Sequence, residues 1–427
     1  MLFPAVSRRV APLTVLTSLL ALAACSDDNG TAPDNNTPPA PSDRPAAEFR
    51  RILVTDTLPF LRTFDAVTGQ RVDSMGGLPG RVTYLYSARG RVAAAHFQRQ
   101  NRVLFVDGGV YVENNRGFRA AARMLGGHSD SVPIHGNYLG DIKSVHFDGS
   151  GTVSFFRESD LVAGRTTPLL SVRAGSPHHG AGIALPGGQF FSASANQNNE
   201  QLPNGVSVFN AGGTVVETSR QCSGLHGLSG NNGGVLYGCA DGALHVAMNS
   251  GRPVFTKLIN SADPRFGVGT VWSAAGQNNF LVRMSIRGQP TSAATRSIGL
   301  ADMTSRTLRA IPLPAGELDF TATVDYSGRL GYILGRTGTL YIVDMTNGQI
   351  TSNIPNVTAA FPATGTVLTP FFASAEGVTY LTNPTRGEVV EINTTAVPAI
   401  ARRIAVGGTP ERVEILGHRA NSRVTPN

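Results

Sequence analysis

Lysine is nearly missing from this chain. Of 427 residues only Lys143 and Lys257 are lysine, so almost all of the 36 basic side chains are arginine. The arginines are scattered singly between apolar runs. No basic stripe with interleaved aromatics occurs, which argues against a nucleic-acid partner. The sequence also has no Gly-x-Ser-x-Gly elbow, no phosphate loop, no His-Glu-x-x-His and no calcium-loop spacing. The usual signatures of serine hydrolysis, nucleotide binding, zinc proteolysis and EF-hand calcium binding are therefore absent. Helical periodicity is scarce, and 49 Gly and 26 Pro punctuate the chain instead. Tryptophan occurs once, at Trp272, just before an inner-strand-like run and more suited to core than to a ligand platform.

An apolar run long enough to cross a bilayer is missing too. Val10–Ala21 is too short for a span, follows Arg8 and Arg9, and leads into Leu22-Ala23-Ala24-Cys25. Small residues before a Cys resemble a bacterial lipobox, with Cys25 as the lipidation site. The expected organisation is a lipoprotein signal peptide at 1–24, a lipidated Cys and disordered tether at 25–48, and one folded domain at 49–427. Asp, Asn, Pro and Thr dominate the tether, which has no apolar periodicity. Ser26 after the Cys resembles the outer-membrane sorting pattern. The expected location is the periplasm, lipid-anchored to the outer membrane. Net charge is +7, or +5 once Arg8 and Arg9 leave with the leader.

One pattern recurs from Phe49 onward: a β-rich run, an Asp or Asn, then a turn with Gly or Thr. It occurs at Leu61–Gly69, Arg102–Gly109, Thr152–Asp160, Gly205–Gly213, Ala243–Gly251, Arg296–Ser305, Thr339–Gly348 and Glu388–Ala396. A spacing of roughly 40 to 55 residues is what four strands and their turns need. The sequence thus predicts an all-β fold, an eight-bladed β-propeller. Seven blades is the alternative, because the Thr152 and Ala243 copies are the weakest. The first blade shows only three strands, Arg51–Asp56, Leu61–Phe64 and Arg71–Ser74. Arg412–Gly417 is the spare strand that would complete it as its inner strand and close the ring.

In that register His178 and His179 stand at the entry to the fourth blade's inner strand, and His226 at the entry to the fifth. His135 precedes the third blade's strands, and His418 follows the closing strand. Imidazoles from separate rigid strand ends can build a tetrahedral zinc site without a local spacing motif. The other reading is a His-Gly habit of propeller loops, with the rings bonded between blades. Gly136, Gly180 and Gly227 follow three of these histidines and let the backbone crowd near the axis. His96, His128, His146 and His245 read as ordinary strand or loop residues. Cys222 and Cys239 are 17 apart in an exported chain, so a disulfide is expected, contributing on the order of 3 kcal/mol by the chain-entropy model. Zinc thiolates are the rival. Asp241 reads as a turn residue or as a partner for a histidine; Asp107, Asp148, Asp325 and Asp344 read as turn residues.

An ordered set of motifs carries a family resemblance. It runs Pro133–His135, Phe147–Thr152 (Phe-Asp-Gly-Ser-Gly-Thr), His178–Gly180, Leu202–Val206, Cys222–Gly227 and Gly238–Gly242. This resembles the periplasmic zinc metallochaperones that serve ABC-type zinc uptake, most clearly from Arg102 to His245. The resemblance implies a β-propeller that binds zinc and hands it to the solute-binding protein of a zinc ABC transporter. It implies His135, one or both of His178 and His179, His226 and His418 as ligands, and the Cys222–Cys239 disulfide. The family's His- and Asp-rich loop has no counterpart here: its place, Glu113–Phe118, contains no histidine. The expectation is a monomeric, membrane-tethered zinc-binding protein that catalyses no reaction. A metal-free interaction scaffold and a metal-dependent propeller hydrolase or lyase are the alternatives.

Overall fold

The computed structural model describes residues 49–417 apart from 88–89, 114–115, 196–201, 363–366 and 396. The expected tether, the lipidation site Cys25 and the candidate ligand His418 lie outside them. Among the described residues no helix is long and apolar enough to cross a membrane.

Eight four-stranded antiparallel sheets are arranged as the blades of a propeller. Each repeat predicted from the sequence supplies the third strand of one blade, including the two weakest, at Thr152–Arg157 and Gly242–Asn249. The eight-blade prediction therefore holds, and the seven-blade alternative does not. The recurring Asp or Asn has a physical reason. At the end of the strand its side chain accepts the backbone N–H groups of the turn that follows, so it ends the ladder and fixes the bend. Asp65 Oδ1 takes Val67 and Thr68 N–H at 2.9 and 2.8 Å. Asp302, Asp344 and Asn393 cap their turns in the same way.

The ring closes as expected. Pro410–Leu416 pairs antiparallel with Arg51–Asp56 and is the innermost strand of the first blade. A continuous apolar core of Ile52, Phe64, Tyr380, Val389, Val413 and Ile415 seals the first blade against the eighth. Each such buried side chain contributes about 1.5–3 kcal/mol, so the seam joining the two ends of the chain is a full inter-blade core. Two blades carry insertions between their third and fourth strands. The second has a hairpin, Val110–Glu113 with Arg116–Arg119, and the third has a short helix, Glu158–Val162.

The inner strands of the third to fifth blades are Pro133–Leu139, Gly182–Leu185 and Leu228–Asn231. All inner strands run the same way along the axis, so residues at their starts share one end of the channel. An axial cavity of about 420 Å³ lies between them, lined from all eight blades. Trp272 on the sixth blade's inner strand faces it, half-buried, with the Arg283 guanidinium 5.2 Å from its ring.

Candidate metal centre

Three histidines converge where the inner strands of three successive blades begin. His135 lies near the start of the third blade's inner strand, at a break in the register between Pro133 and Gly136. His179 and His226 lie in the loops that enter the fourth and fifth blades. One ring nitrogen of each falls within 4.8 Å of the other two. His135 Nε2 and His179 Nε2 are 3.1 Å apart. Two imidazoles at about 2.0–2.1 Å from one tetrahedral zinc have nitrogens about 3.3 Å apart, so the observed spacing suits a shared ion.

The tautomers follow from the partners. Asp148 Oδ2 lies 2.7 Å from His179 Nδ1, and Oδ1 lies 3.1 Å from His146 Nδ1. Burial opposes ionisation of Asp148, but the bonds from His146 and His179 outweigh it and hold its pKa at about 2. A carboxylate only accepts, so both rings carry their proton on Nδ1, and His179 presents a bare Nε2 to the cluster. His226 Nδ1 donates to the Gly269 carbonyl at 2.7 Å, which likewise leaves Nε2 free. Burial first, then the neighbouring His179, His226 and His146, push His135 down to about 3. Burial also lowers His226, against the raising effect of its Gly269 bond. His135 and His226 are therefore neutral near pH 7, the protonation state that ligation needs.

The local backbone is built around this arrangement. Val132 has a φ of 60°, a left-handed conformation costly for a β-branched residue, by about 1–2 kcal/mol. Its N–H is held by Asn101 Oδ1 at 2.9 Å, and its carbonyl accepts the N–H of Asp148 at 3.0 Å. The strained residue thus ties the strand that carries His135 to the turn that carries Asp148. The glycines after the histidines have separate steric reasons. A Cβ at Gly136 would fall 2.5 Å from the Tyr86 ring, one at Gly180 2.8 Å from His146 Nε2, and one at Gly227 2.8 Å from the Gly269 oxygen. Cys222 and Cys239 are disulfide-bonded, with Cα atoms 4.9 Å apart. Next to the bridge, His226 N–H bonds the Gly238 carbonyl at 3.0 Å, which fixes the loop that carries the ring.

Of the remaining candidates, His178 and Asp241 fall elsewhere, and His418 lies outside the described residues. His178 is buried and turned from the cluster, with Nδ1 2.7 Å from the Ser176 oxygen and Nε2 3.2 Å from the Ala193 oxygen. Only His179 of the pair reaches the site, because the irregular loop that carries both turns the His178 ring onto the Ser176 and Ala193 carbonyls. The last described residue before His418, Gly417, donates to the Gly90 carbonyl at 2.8 Å. It follows the end of the closing strand, whereas the three histidines stand at strand starts. Along that same strand it is Arg412 that lies level with Tyr84 and His135. Asp241 pairs with Lys257 at 2.6 Å rather than with a histidine. Asp148 is the turn residue the sequence reading took it for, but that reading missed its bonds to His146 and His179. The available clue was His146-Phe147-Asp148 at the end of a strand.

Fold and cluster together define a class: an eight-bladed propeller with a three-histidine centre at one end of its channel. In fold the chain is similar to AztD from Citrobacter koseri, whose crystal structure matches with a TM-score of 0.73 and 21% identity, over 86% of this chain and 97% of that one. Apo AztD from the same organism matches at 0.71 and 20%, with the same coverage. A more distant match is the dihydro-heme d1 dehydrogenase NirN in complex with DHE, at 0.54 and 12%, over 90% of this chain and 79% of that one. At these identities the likeness is one of fold. No protein-family model and no curated protein matches the sequence.

Proposed function

We propose that this protein captures zinc on His135, His179 and His226 and carries it as cargo. The convergence of three ring nitrogens within 4.8 Å, from three successive blades, carries this reading. Its support is chemical: soft-enough nitrogen donors, neutral rings at His135 and His226, and a carboxylate and a carbonyl that set the tautomers of His179 and His226. Three protein donors leave a fourth tetrahedral position for water or for a donor brought by a partner, which is the arrangement a carrier needs in order to release its ion. The Asp148 carboxylate is engaged by two imidazoles, so it is not offered as a general base to a metal-bound water. That favours holding the ion over hydrolysis.

The motif resemblance extends the proposal. The acceptor would be the solute-binding protein of a zinc ABC transporter. The carrier would be a periplasmic monomer tethered by lipid on Cys25, with Ser26 directing it to the outer membrane. Zinc titration of the purified protein against a competing chelator tests the core of this reading. One equivalent should bind, and His226→Ala should lower affinity tenfold or more. Wild-type protein that takes up no stoichiometric zinc would refute it.

A further inference from the structure

Arg412 lies on the closing inner strand, at the histidine end of the channel. Its guanidinium stacks on Phe371, 3.4 Å from the ring centroid, and faces Tyr84 at 5.2 Å. The Tyr84 ring in turn lies 6.1 Å from that of His135. Among the described residues the Arg412 side chain has no ion pair and no hydrogen bond; only its backbone N–H is engaged, by Thr55 Oγ1. Carboxylates nearby are committed elsewhere. Glu411 makes a two-point pair with Arg81, whose Nε lies 2.7 Å from Oε2. Asp56 holds Arg62 and the Thr409 N–H. Asp148 holds two histidines.

Arg412 is half-buried and Glu411 acts on it only through space, with no carboxylate among the described residues in contact with its guanidinium; arginines in such settings are ordinarily paired. Stacking satisfies only the flat faces of a guanidinium; its five N–H bonds point outward in the plane. We propose that Arg412 is a carboxylate-binding position at the mouth of the channel, on the same rim as the histidines. The aromatic walls fix the guanidinium plane in advance. A planar carboxylate can then accept two parallel N–H bonds at little cost in side-chain entropy. The carboxylate belongs either to a small acid in solution or to an Asp or Glu side chain of a docking protein.

The test uses the full chain stripped of metal, so its outcome is independent of zinc binding. Acetate, phosphate and an acetylated, amidated glutamate tripeptide are titrated calorimetrically against a constant chloride background. Saturable binding of acetate or of the tripeptide, at least tenfold tighter than phosphate, is expected. A tripeptide tighter than acetate assigns the site to a protein side chain, and equal affinities assign it to a free acid. Arg412→Gln should weaken binding tenfold or more, and Arg412→Lys, which lacks the fork, should weaken it less. Wild-type protein with no saturable carboxylate binding overturns the proposal without recourse to a variant. So does a folded Arg412→Gln that binds as well as wild type, or phosphate binding as tightly as carboxylate.

Discussion

Replacing Asp148 with Asn changes little in volume but alters what the histidines can do. The carboxylate now accepts an Nδ1 proton from each of two rings, at 2.7 Å from His179 and 3.1 Å from His146. An amide offers one accepting oxygen and one donating nitrogen. If the oxygen stays with His179, its Nε2 remains bare and zinc can still bind. If the NH2 group faces His179, that ring must move its proton to Nε2, and the lone pair meant for the ion is blocked. His146 is buried and its Nε2 has no partner among the described residues, so it competes for the amide oxygen as its remaining route to a bond. Asp148→Asn should therefore lower zinc affinity by about tenfold, and Asp148→Ala by up to about 100-fold, the range for groups that orient metal ligands. The assay is competition with a chromophoric chelator at pH 7.5, with circular dichroism to verify the fold. A folded Asp148→Asn with wild-type affinity would refute the role assigned to the carboxylate and the tautomer argument with it.

Stability of the metal-free protein should fall with acidification. Burial holds His96 and His135 at about 3, whereas in the unfolded chain each titrates near 6.5. The unfolded state thus binds more protons between these values. The stability is fully present above about pH 6.5 and is lost as pH falls toward about 3, at about 1.4 kcal/mol per unit for fully buried His96. Denaturant midpoints at pH 7.5 and 5.5 measure this, and His96→Leu should flatten the profile. Cys222→Ala with Cys239→Ala should cost about 3 kcal/mol. Zinc affinity should change less than tenfold in that variant, because the Gly238 carbonyl still holds the His226 N–H; the denaturation curve and the zinc titration check the two halves separately. Gly180→Ala places a methyl 2.8 Å from His146 Nε2 and 3.1 Å from the Ala193 Cβ. It should destabilise by about 1–3 kcal/mol, read from the same denaturation curves.

The architecture was legible because it is local and repeated. An Asp or Asn that caps a turn leaves its mark within five residues, and eight such marks at a blade's spacing determine a propeller. Closure was legible for a related reason: a blade short of one strand and a strand left over at the other end of the chain must meet. The site was legible only as a set of candidates. His178 and His179 are neighbours in sequence, and which one faces the cluster depends on the phase of an irregular loop that no periodicity reveals. Asp148 is 31 residues from His179. Its bond crosses from the second-strand turn of one blade to the entry loop of the next, a contact created by blade stacking. In sequence it is one turn-forming Asp among several.

The closing strand teaches something different, because strand direction decides what it brings to the histidines. Inner strands of a propeller run parallel, so entry residues such as His179 and His226 share one end of the channel, and a residue beyond the exit of an inner strand belongs to the other. Gly417 shows this, bonded to Gly90 beyond the end of the second blade's inner strand, while Ser87 Oγ in that strand reaches the Ile415 carbonyl. Five residues earlier on the closing strand the chain is level with Tyr84 and His135, and the residue there is Arg412. What the closing strand brings to the histidine end is thus a guanidinium. A cation adds nothing to the donor set and opposes zinc electrostatically, unless an anion accompanies it. Ring closure then shapes the centre through charge: the rim combines three imidazoles with a position that attracts a carboxylate. Arg412→Gln separates the two effects. Without added carboxylate it should raise zinc affinity by removing the repulsion, and with saturating acetate the difference from wild type should shrink. An Arg412→Gln protein whose zinc affinity matches wild type in both conditions would show that the closing strand has no electrostatic influence on the histidines.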